Sequence, residues 1–202
     1  MQAIRYITFC LFIALLSACA QKPVLEQPAT GYSYISQLDE LALLDTWEVT
    51  GRVSIQTADD AFTASIKWRK LVDYQLIELT GTLGQSYVTM EVTPELTTLT
   101  IQDEEPVSST NPEVLMFQRL GFVIPVTLLT DWIKGYPDMA IDQDIKTGPD
   151  GFIESISYDN WQVGYRKYRS YKSTAELFLP SRLQITNGTE NIKLAVKTWQ
   201  KL

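Results

Sequence analysis

The stretch WEVTGRVSIQTADDAFTASIKWR, Trp47 to Arg69, decides the fold. In WEVTGRVSI, Trp47, Val49, Val53 and Ile55 fall on one side, and Glu48, Thr50, Arg52 and Ser54 on the other. AFTASIKWR repeats the pattern, setting Phe62, Ala64, Ile66 and Trp68 against Thr63, Ser65, Lys67 and Arg69. Successive side chains of a strand point to opposite faces, so period-two alternation marks strands with one dry and one wet face. The connector TADD, Thr57 to Asp60, is a turn signal, and the pair reads as an antiparallel hairpin.

The alternation continues downstream. LTGTLGQSYVTMEV, Leu79 to Val92, reads as strand, turn, strand about Gly81-Thr82-Leu83-Gly84, and LTTLTIQ makes another strand. Leu83 is anomalous there, because a hairpin tip faces water and a bare leucine loses roughly 1.5–3 kcal/mol relative to burial. The period then changes. NPEVLMFQRLGF carries Asn111 as a helix cap, Pro112 at the first helical position and Gly121 as the stop. PVTLLTDWIKGYP starts a second short helix at Pro125 and stops at Gly135. After DQDIKTGPDG the strands return as FIESISY, WQVGYRKY, SRLQIT and NIKLAVKTW, with TNGTEN as the last turn. Upstream, Ile35, Leu38, Leu41 and Leu44 have the spacing of a short amphipathic helix. Nine or more strands with three short helices make a mainly β protein with some α, built on a strongly curved antiparallel sheet. The three helices either fill the trough of that sheet tightly or cover it as a lid.

The N-terminus is of another kind. MQAIRYITFCLFIALLSAC has one basic residue, Arg5, then an apolar run from Ile7 to Leu16 and a small-residue zone. That is the shape of a secretory signal, and the run is shorter than the ~20 residues that span a bilayer. LSAC, Leu16 to Cys19, resembles the bacterial lipobox, in which the cysteine becomes the acylated N-terminus. An ordinary signal peptide with an incidental cysteine is the plainer alternative; position, flanks and spacing favour the lipobox. The expected organisation is a lipoprotein signal over 1–18, a lipidated tether over 19–31, polar with two prolines and a glycine, and one folded domain over 32–202.

Composition removes most chemistry. The 202 residues contain no histidine and two cysteines, Cys10 and Cys19, so the folded region has no imidazole base, no cysteine metal site and no disulfide. No cofactor and no metal is expected. Asp103-Glu104-Glu105 and the pair Asp142 and Asp144 sit in polar turns, where acids are usually solvated. No Gly-x-Ser-x-Gly elbow or phosphate loop occurs. Trp161 and Tyr165 on one face of a strand, with Tyr168 on the other, raise a carbohydrate platform, although strand aromatics are more often core. A formal net charge of −7 without a basic run argues against nucleic acid, and against attraction to anionic lipid, leaving apolar membrane attachment.

Several segments together resemble the LolB family of outer-membrane lipoprotein receptors. They are the lipobox at Cys19, the Trp-x-x-x-Gly-Arg of WEVTGRVSI, the hairpin TGTLGQSYVTMEV, the helical RLGFVIPVTLLTDWIKGYP and the C-terminal LPSRLQITNGTENIKLAVKTW. The resemblance implies an unclosed antiparallel β-barrel with a lid of short helices over a hydrophobic cavity. It implies no enzymatic activity, and a monomer anchored in the outer membrane of a Gram-negative bacterium, facing the periplasm. Its partners would be a LolA-like periplasmic carrier, cargo lipoproteins held by their acyl chains, and outer-membrane lipid. The family's exposed loop leucine maps onto Leu83, within Gly81, Thr82 and Gly84; Thr82 stands where the family has proline. The strand faces then nominate a cavity of Trp47, Val49, Val53, Phe62, Ile66, Trp68, Ile77, Leu79, Val88, Met90, Leu99 and Ile101. The lid contacts would be Leu115, Phe117, Leu128, Leu129, Trp132 and Ile133. The alternative is a structural or binding lipoprotein with a solid core and a protein or glycan partner.

Overall fold

The computed structural model describes residues 34–81, 87–138, 141–171, 174 and 177–202. Eleven strands form one antiparallel sheet: β1 Trp47–Gln56, β2 Ala61–Leu71, β3 Tyr74–Gly81, β4 Tyr87–Val92, β5 Thr97–Ile101, β6 Val107–Ser109, β7 Asp144–Thr147, β8 Ile153–Tyr158, β9 Trp161–Ser170, β10 Phe178–Thr186 and β11 Asn191–Lys201. The helices are α1 Leu38–Ala42, preceded by a 3-10 turn at Tyr34–Gln37, then α2 Pro112–Leu120 and α3 Val126–Trp132.

The sheet order is β6-β5-β4-β3-β2-β1-β11-β10-β9-β8-β7. The first and last strands therefore pair at its centre, and β6 and β7 are opposite free edges. The chain between those two edges contains α2 and α3, so connectivity alone carries the helices from one rim of the unclosed barrel to the other. In β1, Trp47, Val49, Val53 and Ile55 are buried while the residues between them are not, as the alternation requires.

Local chemistry fixes the joints. In the β1–β2 turn the Thr57 amide donates to the Asp60 carbonyl at 2.8 Å, and Thr57 Oγ1 accepts the Asp60 amide at 3.0 Å. Asn111 Oδ1 accepts the Val114 amide at 3.0 Å and caps α2; Gly121 ends it at φ 76°, a left-handed conformation that glycine adopts without strain. Gly51 has a steric reason. Thr50 pairs with Thr198 and Gly51 with Val196, so Lys197 is the extra residue of a bulge on β11. A Cβ at Gly51 would lie 2.3 Å from the Ala195 carbonyl oxygen.

The structure departs from the sequence reading in three places. β6 and β7 were not legible as strands: each is short, polar and at a sheet edge, where one neighbour and no buried face set no alternation. Ile35 is 66% exposed, and the buried residue of its turn is Gln37, whose amide pairs with both backbone groups of Phe178 at 2.9 and 3.1 Å. Tyr168 lies with Tyr165 rather than opposite it, their ring centres 5.8 Å apart, because the β9–β10 register shifts on both sides of Arg182.

Candidate functional site

Beneath the two helices lies a hollow of about 70 Å³ with a wholly apolar lining. The sheet contributes Val53, Ile66, Trp68, Ile77, Leu79, Val88 and Met90 from the expected set, and the lid contributes Leu129. Strand pairing places these in one continuous patch: Ile66 faces Leu79, Trp68 faces Ile77, Leu79 faces Val88 and Ile77 faces Met90. No ionisable side chain lines the hollow. It runs toward the Ile55, Leu79 and Val88 end of the sheet, which is also the end at which β3 leads into residues 82–86.

Nine further lining residues lay outside the expected set: Ile55, Met116, Leu120, Phe122, Ile124, Val126, Ile185, Ile192 and Leu194. Ile55 and the residues of β10 and β11 carry the same alternation as the other lining strands. Their membership depends on the β1–β11 pairing, which curls the C-terminal strands around the same trough. Phe122 and Ile124 belong to the α2–α3 bend, which has no period to read.

Ten expected residues lie elsewhere. Trp47 and Val49 are core at the opposite end of the trough, where Trp47 packs edge-on against Trp68 and Trp199 at 5.1 and 5.2 Å. Phe62 packs against Phe122 at 5.9 Å, at the rim. Leu99 is buried and Ile101 half-buried on β5, one strand out from the lining residues Met90 and Val88 with which they pair. Leu115, Trp132 and Ile133 are fully packed, and Leu128 is half-buried against the core. Phe117 is 62% exposed. On a helix it sits about 100° from Met116 and about 200° from Leu115, both of which turn inward, so it faces solvent. Cys19 and the loop residues Thr82, Leu83 and Gly84 lie outside the described residues; Gly81 ends β3. Trp161 and Tyr165 are buried, which removes the carbohydrate platform.

The lid is held unequally. At the C-terminal end of α3, Tyr165 donates its hydroxyl to the Trp132 carbonyl at 2.8 Å. Burial holds that phenol's pKa well above its ordinary value, so it stays a donor. Lys134, 4% exposed, pairs with Asp131 at 2.9 Å and donates to the carbonyls of Leu41 and Leu44 at 3.2 and 3.4 Å. This buried ammonium thus ties α3 to α1. Thr130 Oγ1 also reaches Gln75 Oε1 at 3.3 Å. Over the hollow itself, Met116, Leu120, Phe122 and Ile124 offer only apolar contact; the polar tie at that side is the rim pair Arg119–Glu104.

Among the described residues no cluster of His, Cys, Asp or Glu could hold a metal ion, and no helix is long and apolar enough to cross a membrane. The described residues thus form a curved sheet with an apolar trough under a helical roof whose buried polar ties gather at one end.

Comparison with known proteins agrees with that geometry. The family model for the outer membrane lipoprotein LolB matches residues 45–199. The chain is 30% identical over 197 residues to the outer-membrane lipoprotein LolB of Pseudomonas putida (strain GB-1), covering 96% of this chain and 94% of that one. It is 27% identical over 199 residues to the LolB of Pseudomonas fluorescens, covering 97% and 96%. Among solved structures, a LolA superfamily protein from Nitrosomonas europaea shares the fold at a TM-score of 0.50 and 10% identity, over 85% of this chain and 94% of that one. With the trough, the roof and the full-length matches in agreement, this chain belongs to the LolB family of outer membrane lipoproteins, whose members are receptors and not enzymes.

Proposed function

We propose that the chain takes lipoproteins from a LolA-like periplasmic carrier, shelters their acyl chains beneath α2 and α3, and inserts them into the outer membrane. The observation that carries this is the apolar hollow roofed by a lid fixed at one end. Three acyl chains carry on the order of 45 methylenes, and at ~0.8 kcal/mol each, exposing them to water costs tens of kcal/mol. A receptor must therefore accept them without wetting them. Transfer from cavity to cavity and then to bilayer proceeds in small free-energy steps, with no catalytic residue and no nucleotide.

The resting hollow is too small for that cargo. Sites for drug-sized ligands occupy roughly 300–1,000 Å³, against about 70 Å³ here. The lid must therefore swing. Its buried polar ties gather at Trp132–Lys134, so that end is the pivot and α2 with the Phe122–Ile124 bend is the moving part. Apolar surface that the lid uncovers as it lifts is covered again by the incoming acyl chain. Opening is then nearly balanced when cargo is present and unfavourable without it.

In the same proposal, residues 1–18 are the export signal, Cys19 carries the lipid, 19–31 form the tether and 32–202 the receptor domain. Leu83, with Gly81, Thr82 and Gly84, touches the bilayer and passes the chains on; its partner is lipid, which accounts for a leucine in a hairpin loop. Leu83→Glu in purified, lipid-anchored protein tests this. Uptake of a labelled lipoprotein from the carrier stays near wild type while its insertion into vesicles falls at least tenfold. Normal insertion by the variant overturns the role of Leu83.

A further inference from the structure

The net charge of −7 conceals a strong separation. Residues 160–202 contain eight Lys and Arg against two Asp and Glu; residues 1–159 contain nine against 22. The fold gathers four of the first group, Lys167, Arg182, Lys193 and Lys197, on one surface with Arg52. Lys167 pairs with Arg182, Arg182 with Ala195, Ala195 with Arg52, and Arg52 with Ser65, in a straight row across β9, β10, β11, β1 and β2. Lys193 lies one row over, opposite Ser54 and Gln184, and Lys197 is pushed out by the bulge. These cations stand on the outer face of the sheet, since Val53, Leu183, Leu194 and Val196 beside them are buried in the trough. Arg52, Arg182, Lys193 and Lys197 are exposed, and none of them nor Lys167 is in an ion pair with the acids of this face among the described residues. Glu48, farther along β1, is already occupied by Lys67 and Arg69 at 3.6 and 2.8 Å.

Like charges directly opposite on a sheet destabilise it. A row that places Lys167 against Arg182, with Arg52 beyond and Lys193 one row over, lowers stability unless an anion sits over it. Two observations identify that anion. The row ends at Ser65, which pairs with Thr80, one residue before Gly81 and the hairpin loop, so it lies level with the loop assigned to the bilayer. Fourteen residues separate Cys19 from Tyr34, a span of at most about 50 Å at ~3.3–3.6 Å per residue, so the domain as a whole stays within reach of the lipid surface that holds the anchor.

We infer that the outer face of β9, β10, β11 and β1 is a docking surface for anionic phospholipid headgroups. Docking sets the receptor's attitude on the membrane and holds the hairpin end against it. The inference rests on outer-membrane anchoring and on the hairpin loop facing the bilayer, and not on cargo transfer. Attraction is local: at physiological salt, charges more than a Debye length of ~8 Å from this face are largely screened.

The test uses the full mature, acylated protein in vesicles, with a donor dye on Thr189→Cys in the β10–β11 turn and an acceptor on lipid headgroups. Energy transfer is expected to be higher in phosphatidylcholine with one quarter phosphatidylglycerol than in phosphatidylcholine alone, and to fall as salt rises. The triple variant Arg52→Gln, Arg182→Gln, Lys193→Gln should lower the docked-to-free ratio on the order of a hundredfold, at about fivefold per cation removed. The double variant Arg52→Lys, Arg182→Lys should retain docking, which separates charge from fold. Cargo uptake by the triple variant in phosphatidylcholine vesicles should match wild type, so loss of docking leaves the receptor reading standing. Equal energy transfer in both lipid compositions overturns the inference. So does a triple variant that loses carrier binding while its headgroup proximity is unchanged, which would assign the face to an acidic protein.

Discussion

Filling the hollow should make the protein more stable and less able to work. Val53 is 5% exposed, lines the hollow from β1 and sits opposite Ala64 and Leu194. Val53→Phe adds four carbons pointing into a space of about 70 Å³. Buried voids in cores cost roughly 24 cal/mol per Å³, so a hollow of that size carries a penalty of about 1.7 kcal/mol. Recovering most of it raises Tm by about 3–7 °C for a domain of this length. The same ring occupies the space through which an acyl chain must pass, so transfer of a labelled lipoprotein from its carrier should fall at least tenfold. Thermal unfolding and transfer are measured on the same preparation. A more stable variant that accepts cargo at the wild-type rate refutes the assignment of the hollow. A variant whose Tm falls by several degrees shows that the space is already closed in solution.

Three further perturbations probe the supports of the site. Gly51→Ala brings a Cβ to 2.3 Å from the Ala195 carbonyl oxygen, and because backbone must move, stability in urea should drop by about 2–4 kcal/mol; an unchanged midpoint contradicts the β1–β11 bulge. Lys134→Met leaves Asp131 and the carbonyls of Leu41 and Leu44 without their donor. It should cost about 2–3 kcal/mol and speed amide exchange in α3 ahead of the sheet; uniform exchange throughout argues against a pivot there. Tyr165 supplies a pH dependence. Its folded pKa lies above the ordinary value of 10, so the unfolded chain releases the proton first and stability is lost as pH rises past 10. Tyr165→Phe should flatten that decline while losing about 1 kcal/mol at neutral pH with the bond to Trp132; parallel pH curves refute it.

Much of the fold was legible because its signals are local. Asn111 and Gly121 bracket α2 through their own side chain and φ, and Thr57–Asp60 turns on a hydrogen bond among four residues. Strand faces were legible because the trough dries one side of β1, β2 and β11. Depth along the trough was not. Trp47 and Val53 share a face of β1, yet Trp47 is packed closed against Trp68 and Trp199 while Val53 borders the hollow. Phe117 and Met116 are neighbours on one helix, and only the crossing of α2 over the sheet decides which is inside. The outward cations were individually visible in the alternation of β1, β10 and β11. Their alignment needs the register of four pairings, two with shifts, and no periodicity encodes a bulge.

The central claim is that acyl chains enter the space between sheet and lid. A lipoprotein carrying a photoactivatable acyl chain, handed over by its periplasmic carrier and irradiated before membrane is added, tests it most directly. Adducts are expected on Val53, Leu79, Met90, Leu129 and Leu194, and are absent when the carrier is omitted. Adducts confined to the outer face of the sheet, or to exposed Phe117 on top of the lid, would contradict it.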